Sequence, residues 1–487
     1  MEITKIKAKI PEYVSHVADQ LIEANFNAYL VGGAVKDILL GQTPKDYDIA
    51  TNALPEQIAD IFPHSVTTNA KFGTILVIIS DREGERFDVE VTTFRKEEDY
   101  FGGRWPSRVE FADDITTDLS RRDFTINAMA IDMHSLDKLS GHHEDVVIDP
   151  FSGREDLQNK IIKAVGDPLE RFGEDGLRAY RACRLAAILG FKIESATYEA
   201  IKQSLHIAGK VSMERVRDEL MKLILHAPKP SVGIELLRET GLLNLFMPEL
   251  LECIDITQPE WHVEDVYAHS LATLDLSEDS IKLAALLHDI GKARTRTEDE
   301  TGVHFFGHDK VGAQMAGEIM ERLKFSKSQI KKVMTLIRWH MFYYPSADWR
   351  KENNLIDIET EENHKQGGWS DSAIRRFISN VGEEYIEDLF KLRIADANAN
   401  PKSVFDPLEI QLLQNRIAEV RSKDMALKIT DLNITGHDLE EAGVEKGPLM
   451  GEILTYLLDQ VIEDPRLNEK GKLLELSKGY FQNKQQN

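Results

Sequence analysis

The chain has 487 residues, which is too long for one ordinary hydrophobic core and predicts roughly two to four domains. Hydrophobic residues make up 42% and charged residues 29%, a balance typical of folded proteins that work in water. The formal net charge of −24 argues against a protein that coats nucleic acid over its whole surface, because phosphate binding requires clustered lysine and arginine. A basic track on one face of an acidic body is still compatible with this charge.

The N-terminus and the cysteines bear on the cellular setting. The first residues, MEITKIKAKIPEYVSHV, lack the apolar core of a signal peptide, and no apolar run approaches the roughly 20 residues that span a bilayer. The 2 cysteines, Cys183 and Cys253, lie far apart and form neither a disulfide framework nor a paired-thiol zinc motif. We therefore expect a cytoplasmic protein without a membrane partner.

The first 150 or so residues have a mixed α/β pattern. β-Branched and apolar residues predict short strands at 28–31, 73–79 and 86–94, and AVKDILL before Gly41 predicts a short helix. TINAMAID, residues 125–132, fits a helix at its start and a strand at its end, and the pattern does not separate the two. The polar segment 94–111 contains two glycines and a proline and predicts a mobile loop.

From about Asp167 onward the pattern changes to that of packed helices. Apolar residues recur three and four apart in LRAYRACRLAAILG, MERVRDELMKLIL, IKLAALLHDIG and IKKVMTLIRWHMF. The polar stretch ANANPKS at 397–403 predicts a break before the last helical segment. The overall fold class is therefore α+β, with a small mixed sheet and helices first and helical regions after it.

A glycine pair and two aspartates stand close together in LVGGAVKDILLGQTPKDYDIAT, residues 30–51. Gly32 and Gly33 allow backbone N–H groups to approach phosphate oxygens closely. In a strand, Asp46 and Asp48 would point to the same face, where their charges repel unless a divalent cation binds, and oxygen ligands favour Mg²⁺. The ordinary alternative is a surface turn whose aspartates cap or are solvated.

A third carboxylate can come from the following strand. FDVEVTTFR offers Asp88 and Glu90 on one strand face. With Asp46 and Asp48, either of them would complete a site for two Mg²⁺ ions, which activate an attacking hydroxyl and stabilise a leaving pyrophosphate.

Five motifs together carry a specific resemblance. They occur in one order, cover roughly residues 29–225, and read LVGGAVKDILLGQTPKDYDIAT, EVTTFR, RRDFTINAMAID, DPFSGREDL and EDGLRAYRACR. As a set they resemble the class II tRNA nucleotidyltransferases, the CCA-adding enzymes, whose polymerase β-like head the bacterial poly(A) polymerases share. The resemblance implies that Asp46 and Asp48 hold the catalytic metals and that Glu90 is the third acid. It also implies nucleotide contacts from Gly32, Gly33, Arg121, Arg122, Asp123 and Asn127.

The motif EDGLRAYRACR has a base-reading interpretation. Cytosine and adenine both present an amino donor beside a ring-nitrogen acceptor, which a carboxylate and an arginine complement, whereas uracil and guanine present the reverse pattern. The resemblance implies that Glu174, Asp175 and Arg178 are this protein template, with Arg181 and Arg184 following at helical spacing. Surface ion pairs on one helix are the alternative for Glu174 and Arg178. MERVRDEL resembles a further family motif packed behind this helix, with Arg215 and Glu219 at its polar positions.

Histidines and carboxylates form a second set in the helical region, and such side chains together suit a transition metal or Mg²⁺. The set resembles the HD phosphohydrolase domain. This resemblance implies metal ligands at His269, His288, Asp289 and Asp396, and a second metal at His308 and His340. Hydrolysis of phosphate monoesters or 2′,3′-cyclic ends is one reading, and a relic domain that has kept its ligands is the other.

These observations predict a nucleotidyltransferase head at 1–160, a helical neck at 161–230, an HD-type body at 231–410 and a tail at 411–487 that contacts tRNA. The predicted function is template-independent addition of C, C and A to tRNA from CTP and ATP. CCA-adding relatives carry a segment like 94–111 at this place, and the resemblance therefore favours addition of the final A over a relative limited to C addition. Alternatives are a poly(A) or A-adding polymerase on the same head, an HD phosphohydrolase with an RNA-binding head, and a non-catalytic RNA-binding protein. Lysines and arginines at 322–332 are candidate phosphate contacts.

Overall fold

The structure is a computed structural model, and it describes residues 3–68, 70–80, 84–101, 105–138, 146–258, 265–342, 344, 369–402, 405, 408–423 and 428–486. It divides into two compact units. The first comprises Met1–Pro248 with Arg322–Lys324, and the second comprises Glu249–Glu321 with Phe325–Asn487. In the described part of the chain, no helix has both the length and the apolar character needed to cross a membrane.

The strands of the first unit lie almost entirely in its first two thirds. They are β1 Tyr29–Val31, β2 Asp48–Thr51, β3 Ser65–Val66, β4 Thr74–Ser80, β5 Arg86–Thr93, β6 Arg95–Phe101, β7 Trp105–Phe111, β8 Ala130–Asp132, β9 Val147–Ile148, β10 Ile161–Ile162 and β11 Lys192–Ile193. The predicted strands at 28–31, 73–79 and 86–94 are confirmed as β1, β4 and β5.

The helices of the first unit begin before these strands, lie between them in the chain and continue after the last of them. They are α1 Ile3–Lys7, α2 Glu12–Glu23, α3 Gly33–Leu39, α4 Pro55–Ile61, α5 Ile115–Ser120, α6 Met133–Lys138, α7 Gly153–Gln158, α8 Pro168–Glu174, α9 Leu177–Leu189, α10 Ser195–Gln203, α11 Leu205–Ala208, α12 Met213–His226, α13 Pro230–Glu239 and α14 Leu243–Phe246. The predicted short helix before Gly41 is confirmed as α3. The ambiguous stretch 125–132 is a 3₁₀ turn at Thr125–Asn127 followed by β8.

The central sheet is mixed, as predicted, and has the strand order β3-β4-β5-β2-β1-β8-β9. β2 runs antiparallel to β1 and parallel to β5. The registers place Val31 and Glu90 on either side of Asp48, so the first residue of β2 lies beside the end of β1 and a carboxylate of β5.

The two faces of the sheet bury different cores. Leu30, Ile49 and Val91 point into the larger core beneath α2 and α4. Val31 and Ala50 point to the other face, where a smaller core also includes residues of α5 and Phe94. Because successive strand residues alternate between faces, Asp48 lies on the side of this smaller core. Helix α5 packs on that side and brings its C-terminal residues toward Asp48.

The prediction of a mobile loop at 94–111 is wrong, because β6 and β7 pair as an antiparallel hairpin. Pairing runs from Arg95 with Phe111 to Phe101 with Trp105, and residues 102–104 between them lie outside the described part of the chain. The charged residues, glycines and proline of this segment are typical of loops, and they obscure the strand pattern in the sequence. Pro106 is tolerated because neither strand is central.

The second unit is helical, as predicted, with a small hairpin formed by β12 Thr297–Asp299 and β13 Gly302–His304. Its helices are α15 Pro248–Leu251, α16 Val266–Leu276, α17 Lys282–Leu287, α18 Lys292–Thr295, α19 His308–Arg322, α20 Lys327–Trp339, α21 Asp371–Val381, α22 Ile386–Ala399, α23 Glu409–Arg421, α24 Gly436–Glu441, α25 Pro448–Glu463 and α26 Lys470–Gln486. The break predicted at 397–403 agrees with the end of α22 at Ala399. The proposed domain boundaries at 160, 230 and 410 stay predictions.

Candidate active site and candidate metal centre

The turn between β1 and α3 requires a glycine at its first position. Gly32 has φ +73°, a left-handed conformation that side chains disfavour. A Cβ atom there would lie 3.1 Å from Nη1 of Arg122 and 3.4 Å from Oδ2 of Asp48. Gly33 has no such neighbour, since no described heavy atom lies within 4 Å of the position of its Cβ. Gly32 therefore lets an arginine and a carboxylate approach the backbone of the turn.

Asp48 is the central acid of the site. Its pKa is raised from the ordinary 3.8 to about 6, chiefly by burial and also by the charges of Glu90 and Asp46, while Arg122 opposes the shift. Glu90 is exposed and directly opposite Asp48 in the β2–β5 register. The expectation that Asp46 and Asp48 share a strand is wrong, because β2 begins at Asp48 and Asp46 lies exposed in the preceding loop. Asp46 nevertheless lies close enough for its charge to act on Asp48.

The register favours Glu90 over Asp88 as the third acid. Asp88 lies two residues earlier on β5, pairs with Ile78 of β4, and accepts a hydrogen bond from Nε of Arg86 at 3.2 Å. Glu90 pairs with Asp48 itself.

A fully buried carboxylate, Asp118 of α5, holds the two arginines of the RRD motif. Its Oδ1 accepts from Nε of Arg121 at 2.9 Å, and its Oδ2 accepts from Nη2 of Arg122 at 3.2 Å. Burial alone would raise the pKa of Asp118, but the two guanidinium groups outweigh burial and lower it. The sequence reasoning missed this residue, although an acid three and four positions before two arginines on a helix is the signal for it.

Asp123, the third residue of the motif, is also buried and paired. Its Oδ1 accepts from Nδ2 of Asn127 at 3.1 Å, and its Oδ2 lies 2.6 Å from Nη2 of Arg181. Burial opposes ionisation, yet Arg181 and Asn127 lower the pKa of Asp123. Helix α9 is thereby tied to the RRD segment through an ion pair.

The alternative that placed Glu174 and Arg178 on one helix is wrong. α8 ends at Glu174, Asp175 is extended with φ −142° and ψ 108°, and α9 begins at Leu177. Gly176 lies in this break, where a Cβ atom would be 2.8 Å from the carbonyl oxygen of Ile207. Only glycine fits that close approach. The ion pair of Glu174 with Arg178 at 2.5 Å therefore joins two helices across the break between them.

The predicted base-reading residues have partners of their own. Arg178 donates to the carbonyl oxygens of Arg171 at 3.1 Å and Arg121 at 2.7 Å. Asp175 is held by Arg215, whose Nη2 and Nη1 donate to its two oxygens at 2.6 and 3.2 Å. Their side chains are therefore fixed before any ligand binds.

A second acid on α12 engages α9. Nε of Arg184 lies 2.6 Å from Oε2 of buried Glu219, and burial lowers the pKa of Arg184 while Glu219 opposes that shift. Both α12 residues that the resemblance singled out, Arg215 and Glu219, thus hold members of the predicted site.

These side chains surround a cleft of about 460 Å³ within the first unit. Its lining residues are Gly32, Gly33, Lys36, Asp48, Arg121, Arg122, Asp123, Asn127, Asp175, Leu177, Arg178, Arg181, Arg184, Leu185 and Arg215. Of the predicted site residues, Asp46, Glu90 and Glu174 are not among the described residues that line it. Lys36, a buried lysine in the first turns of α3, was not predicted. The cleft combines one acid edge with a wall of guanidinium groups, which suits a polyanion with bound cations.

The second unit brings the predicted histidines and aspartates together. His269, His288 and Asp396 form one group, and Asp289, His308 and His340 form another, with the ligand atoms of each group within 4.8 Å of one another. Within the described residues no further group of three such side chains meets this criterion. The acids of the first unit therefore do not meet it either.

The imidazoles are oriented by the backbone. Nδ1 of His288, His308 and His340 donates to the carbonyl oxygen three residues earlier, at 2.8, 2.8 and 2.7 Å. Each Nε2 then carries the lone pair of its imidazole, and all three Nε2 atoms are buried without a hydrogen-bond partner. This orientation is the one required of metal-binding histidines.

Asp289 lies between the two groups. Its Oδ2 is 3.2 Å from Nε2 of His288, and its Oδ1 is 3.5 and 3.6 Å from Nε2 of His308 and His340. Lys292, one turn later, places Nζ 2.6 Å from Oδ2 of Asp289, a contact the sequence reasoning did not identify. The residues present fit a divalent cation on donor chemistry, with imidazole nitrogens and carboxylate oxygens converging on one buried space.

Comparison with known proteins identifies the family of the chain. Four family models match the chain: the Poly A polymerase head domain at residues 28–163, the RNA and SrmB-binding site of polymerase A at 190–254, the HD domain at 262–397, and the tRNA nucleotidyltransferase domain 2 at 383–476.

Whole-length relatives are also found. The CCA-adding enzyme of Lactococcus lactis subsp. cremoris (strain SK11) is 44% identical over 481 residues, covering 96% of this chain and 99% of the relative. That of Ligilactobacillus salivarius (strain UCC118) is 30% identical and covers 96% of each. A crystal structure of the Bacillus stearothermophilus CCA-adding enzyme in complex with CTP superposes with a TM-score of 0.62 at 26% identity, covering 97% of this chain and 98% of that one.

Proposed function

This chain belongs to the CCA-adding enzymes, the class II tRNA nucleotidyltransferases, and from that premise we propose that it adds C, C and A to the 3′ end of tRNA from CTP and ATP without a nucleic-acid template. The observation that carries the proposal is the pairing of Asp48 with Glu90 beside the Gly32 turn. In the reaction, the 3′ hydroxyl oxygen of the RNA bonds to the α-phosphorus of the nucleotide, and the bond from that phosphorus to pyrophosphate breaks.

Asp46, Asp48 and Glu90 are proposed to hold Mg²⁺. Oxygen-only ligands suit this ion, and the pKa of Asp48 is raised by burial and by the charges of Glu90 and Asp46, which Arg122 only partly offsets. When bound, Mg²⁺ supplies an activated hydroxyl and a counter-charge for the leaving pyrophosphate. The protein's part is to hold Asp48 in the cleft, with Glu90 and Asp46 near enough for their charges to act on it.

The guanidinium groups of Arg121 and Arg122 are proposed to hold the phosphates. Both line the same cleft as Gly32, and Nη1 of Arg122 lies 3.1 Å from where a Cβ atom of Gly32 would be. Arginine forks match phosphate oxygens in a planar, charge-assisted geometry. Asp123 and Asn127 are assigned to the sugar, because they line the cleft next to these arginines and carry hydrogen-bonding atoms.

Base choice is proposed to rest on Asp175 and Arg178. Both line the cleft, and Arg215 and Glu174 fix their positions. A carboxylate accepts from the amino group of C or A, while a guanidinium donates to the adjacent ring nitrogen. Uracil and guanine would place a carbonyl oxygen against the carboxylate and an N–H group against the guanidinium in a partly desolvated site, which excludes them.

A nucleotide-by-nucleotide assay tests this function. The protein is incubated with Mg²⁺ and a tRNA that ends at the discriminator base, first with each nucleoside triphosphate alone and then with CTP and ATP together. We expect two C additions with CTP alone and a single A after them when ATP is present. Unlimited A addition would identify a poly(A) or A-adding polymerase. No incorporation would contradict the proposal and leave a hydrolase or an RNA-binding protein.

A second activity is proposed for the metal centre of the second unit, because three buried Nε2 atoms converge on Asp289 and Asp396. Its ligands suit a divalent cation, either Mg²⁺ or a transition metal. A metal bound there polarises a phosphoester and lowers the pKa of a bound water. The proposed reaction is hydrolysis of phosphate monoesters or 2′,3′-cyclic ends.

This activity is best tested in an Asp48→Asn background, so that the first unit contributes no metal site. Mn²⁺, Ni²⁺ and Mg²⁺ are titrated into chelator-treated protein, and hydrolysis of a 2′,3′-cyclic nucleotide is followed. His288→Ala should lose metal binding and hydrolysis. His304→Ala is the control, because His304 is a partly exposed histidine that pairs with Asp299 in the β12–β13 hairpin. Metal binding without hydrolysis would identify a relic centre.

Three further expectations stay proposals. The tail, matched by the tRNA nucleotidyltransferase domain 2 model at 383–476, contacts the outer part of tRNA. Lys327 and Lys331 are exposed and are candidates for phosphate contacts. A reducing cytoplasm is compatible with Cys183 and Cys253, which are both free and buried.

A further inference from the structure

We propose that Asp118 is a positioning residue for the triphosphate, which acts by holding Arg121 and Arg122 in the orientation that receives phosphate. The inference rests on the proposed nucleotide site and extends it to a residue outside the cleft. Asp118 is not among the described residues that line the cleft, whereas both arginines are. Any effect of Asp118 on nucleotide binding must therefore pass through them.

The geometry divides one carboxylate between two cations. Oδ1 binds Arg121 through Nε at 2.9 Å and Nη2 at 2.8 Å, and Oδ2 binds Nη2 of Arg122 at 3.2 Å. Asp118 is 0% exposed, so no water competes for these oxygens. Two adjacent guanidinium groups repel each other, and a carboxylate between them makes their side-by-side position favourable.

One edge of the Arg122 guanidinium faces the turn. Nη1 of Arg122 lies 3.1 Å from where a Cβ of Gly32 would be, while the same guanidinium is anchored through Nη2. A long, flexible side chain loses rotamer freedom when it binds a ligand. An anchor that fixes the side chain beforehand reduces that loss, so the anchored arginines bind phosphate more tightly than free ones.

Helix α5 makes the anchor rigid. Its neighbour Leu119 is fully buried in the smaller core, and Asp114 caps the first turn by accepting from the backbone N–H of Thr117 at 3.1 Å. Arg121 is the residue that ends the helix. Arg121 and Arg122 thus extend from the end of a helix that is fixed on the sheet next to Asp48.

The test separates phosphate recognition from general damage. Equilibrium binding of CTP, CMP and cytidine is measured with Mg²⁺ and without tRNA, for the full chain and for Asp118→Asn. An amide offers Arg122 an N–H₂ group in place of an anionic oxygen, so we expect the dissociation constant of CTP to rise about tenfold. The dissociation constant of cytidine should be unchanged, because cytidine has no phosphate for Arg121 and Arg122 to bind.

The matched control is Asp114→Asn, at the other end of the same helix, where asparagine caps as well as aspartate. It should bind CTP like the unmodified chain. If Asp118→Asn does not fold, Asp118→Glu is measured in its place. The longer glutamate side chain displaces Arg121 and Arg122, so we expect this variant to weaken the binding of CTP but not of cytidine.

Three results are decisive. Equal losses for CTP and cytidine would show a merely structural role and overturn the inference. Unchanged CTP binding in a folded variant would overturn it too. If the unmodified chain binds no CTP, the proposed function fails instead, so the two failures are distinguishable.

Discussion

Nη2 of Arg178 donates to the backbone carbonyl oxygen of Arg121 at 2.7 Å, across 57 residues of sequence. The residue assigned to the base and the segment assigned to the phosphates are therefore parts of one hydrogen-bonded structure. Arg178 also holds Glu174 and the carbonyl oxygen of Arg171, so its guanidinium bridges α8, α9 and the end of α5. A nucleotide would meet a preformed surface rather than assemble one.

Arg178→Ala should reduce nucleotide choice more than it reduces transfer. Without the guanidinium, no donor faces the ring nitrogen of C or A, and the preference for C and A over U and G should fall at least about tenfold. Rates of incorporation of each nucleotide onto tRNA measure this. Arg238→Ala is the control, because Arg238 pairs with Glu235 on α13 away from the cleft. An unchanged preference in Arg178→Ala would contradict the base-reading role.

Gly32→Ala should inactivate the site while leaving the fold intact. The new Cβ would press on Arg122 and Asp48, and displacement of groups that position a substrate by about 1 Å costs about 100-fold in rate. Gly41→Ala is a matched control, because Gly41 has a similar φ of +78° but no described atom within 4 Å of its Cβ position. Both variants carry backbone strain, and only Gly32→Ala should lose transfer. Equal activities would show that close approach at Gly32 is unimportant.

Asp48 should make the metal-free protein less stable as the pH rises. Burial, Glu90 and Asp46 raise its pKa from 3.8 to about 6, so between these values the folded chain binds more protons than the unfolded chain. The free energy of unfolding therefore falls as the pH rises through this window. Removing this effect by Asp48→Asn should stabilise the metal-free protein by up to about 3 kcal/mol at pH 7, and the gain should shrink toward pH 4.

Chemical unfolding in the presence of a chelator measures this difference at several pH values. Asp88→Asn, on the exposed face of β5, should leave the free energy of unfolding nearly unchanged, since surface ion pairs contribute little. A destabilised Asp48→Asn at pH 7 would contradict the stated environment of Asp48.

Arg375 should be a main stabilising contact of the second unit. It is buried on α21, and its Nε and Nη2 donate to the carbonyl oxygens of Ile462 and Glu463 at 2.6 and 3.1 Å, where α25 ends. Arg375→Met leaves these terminal carbonyls unsatisfied and should cost about 2–3 kcal/mol of unfolding free energy. Its neighbour Arg376 pairs with Glu463 on the surface, so Arg376→Met should cost less than about 1 kcal/mol. Equal losses would contradict this account.

Sequence reasoning found what depends on local pattern and composition. The strands β1, β4 and β5 are marked by β-branched residues, and the carboxylate and histidine sets are marked by residue type. The Asp48–Glu90 pairing could not be derived, because register between strands 42 residues apart depends on the whole sheet. The hairpin of β6 and β7 was missed because the charged residues, glycines and proline of its sequence are typical of loops.

The break at Asp175 and Gly176 was missed for a different reason. Helical spacing in EDGLRAYRACR is consistent with one helix, and the backbone of Ile207 that excludes a side chain at Gly176 comes from a distant segment. Asp118 differs in that its spacing to Arg121 and Arg122 is a local signal, but that these arginines line a cleft is not. Tertiary contacts, rather than local preference, determine these features.

The most direct test of the central claim is single-turnover transfer of CMP from CTP to tRNA lacking its terminal CCA, at saturating Mg²⁺, in Asp48→Asn and Asp88→Asn. We predict a loss of about 1,000-fold or more for Asp48→Asn and near-normal transfer for Asp88→Asn, because of these two only Asp48 lies in register with Glu90 at the cleft. Robust transfer by a folded Asp48→Asn variant, or equal losses in both variants, would contradict the claim that these paired carboxylates form the catalytic site.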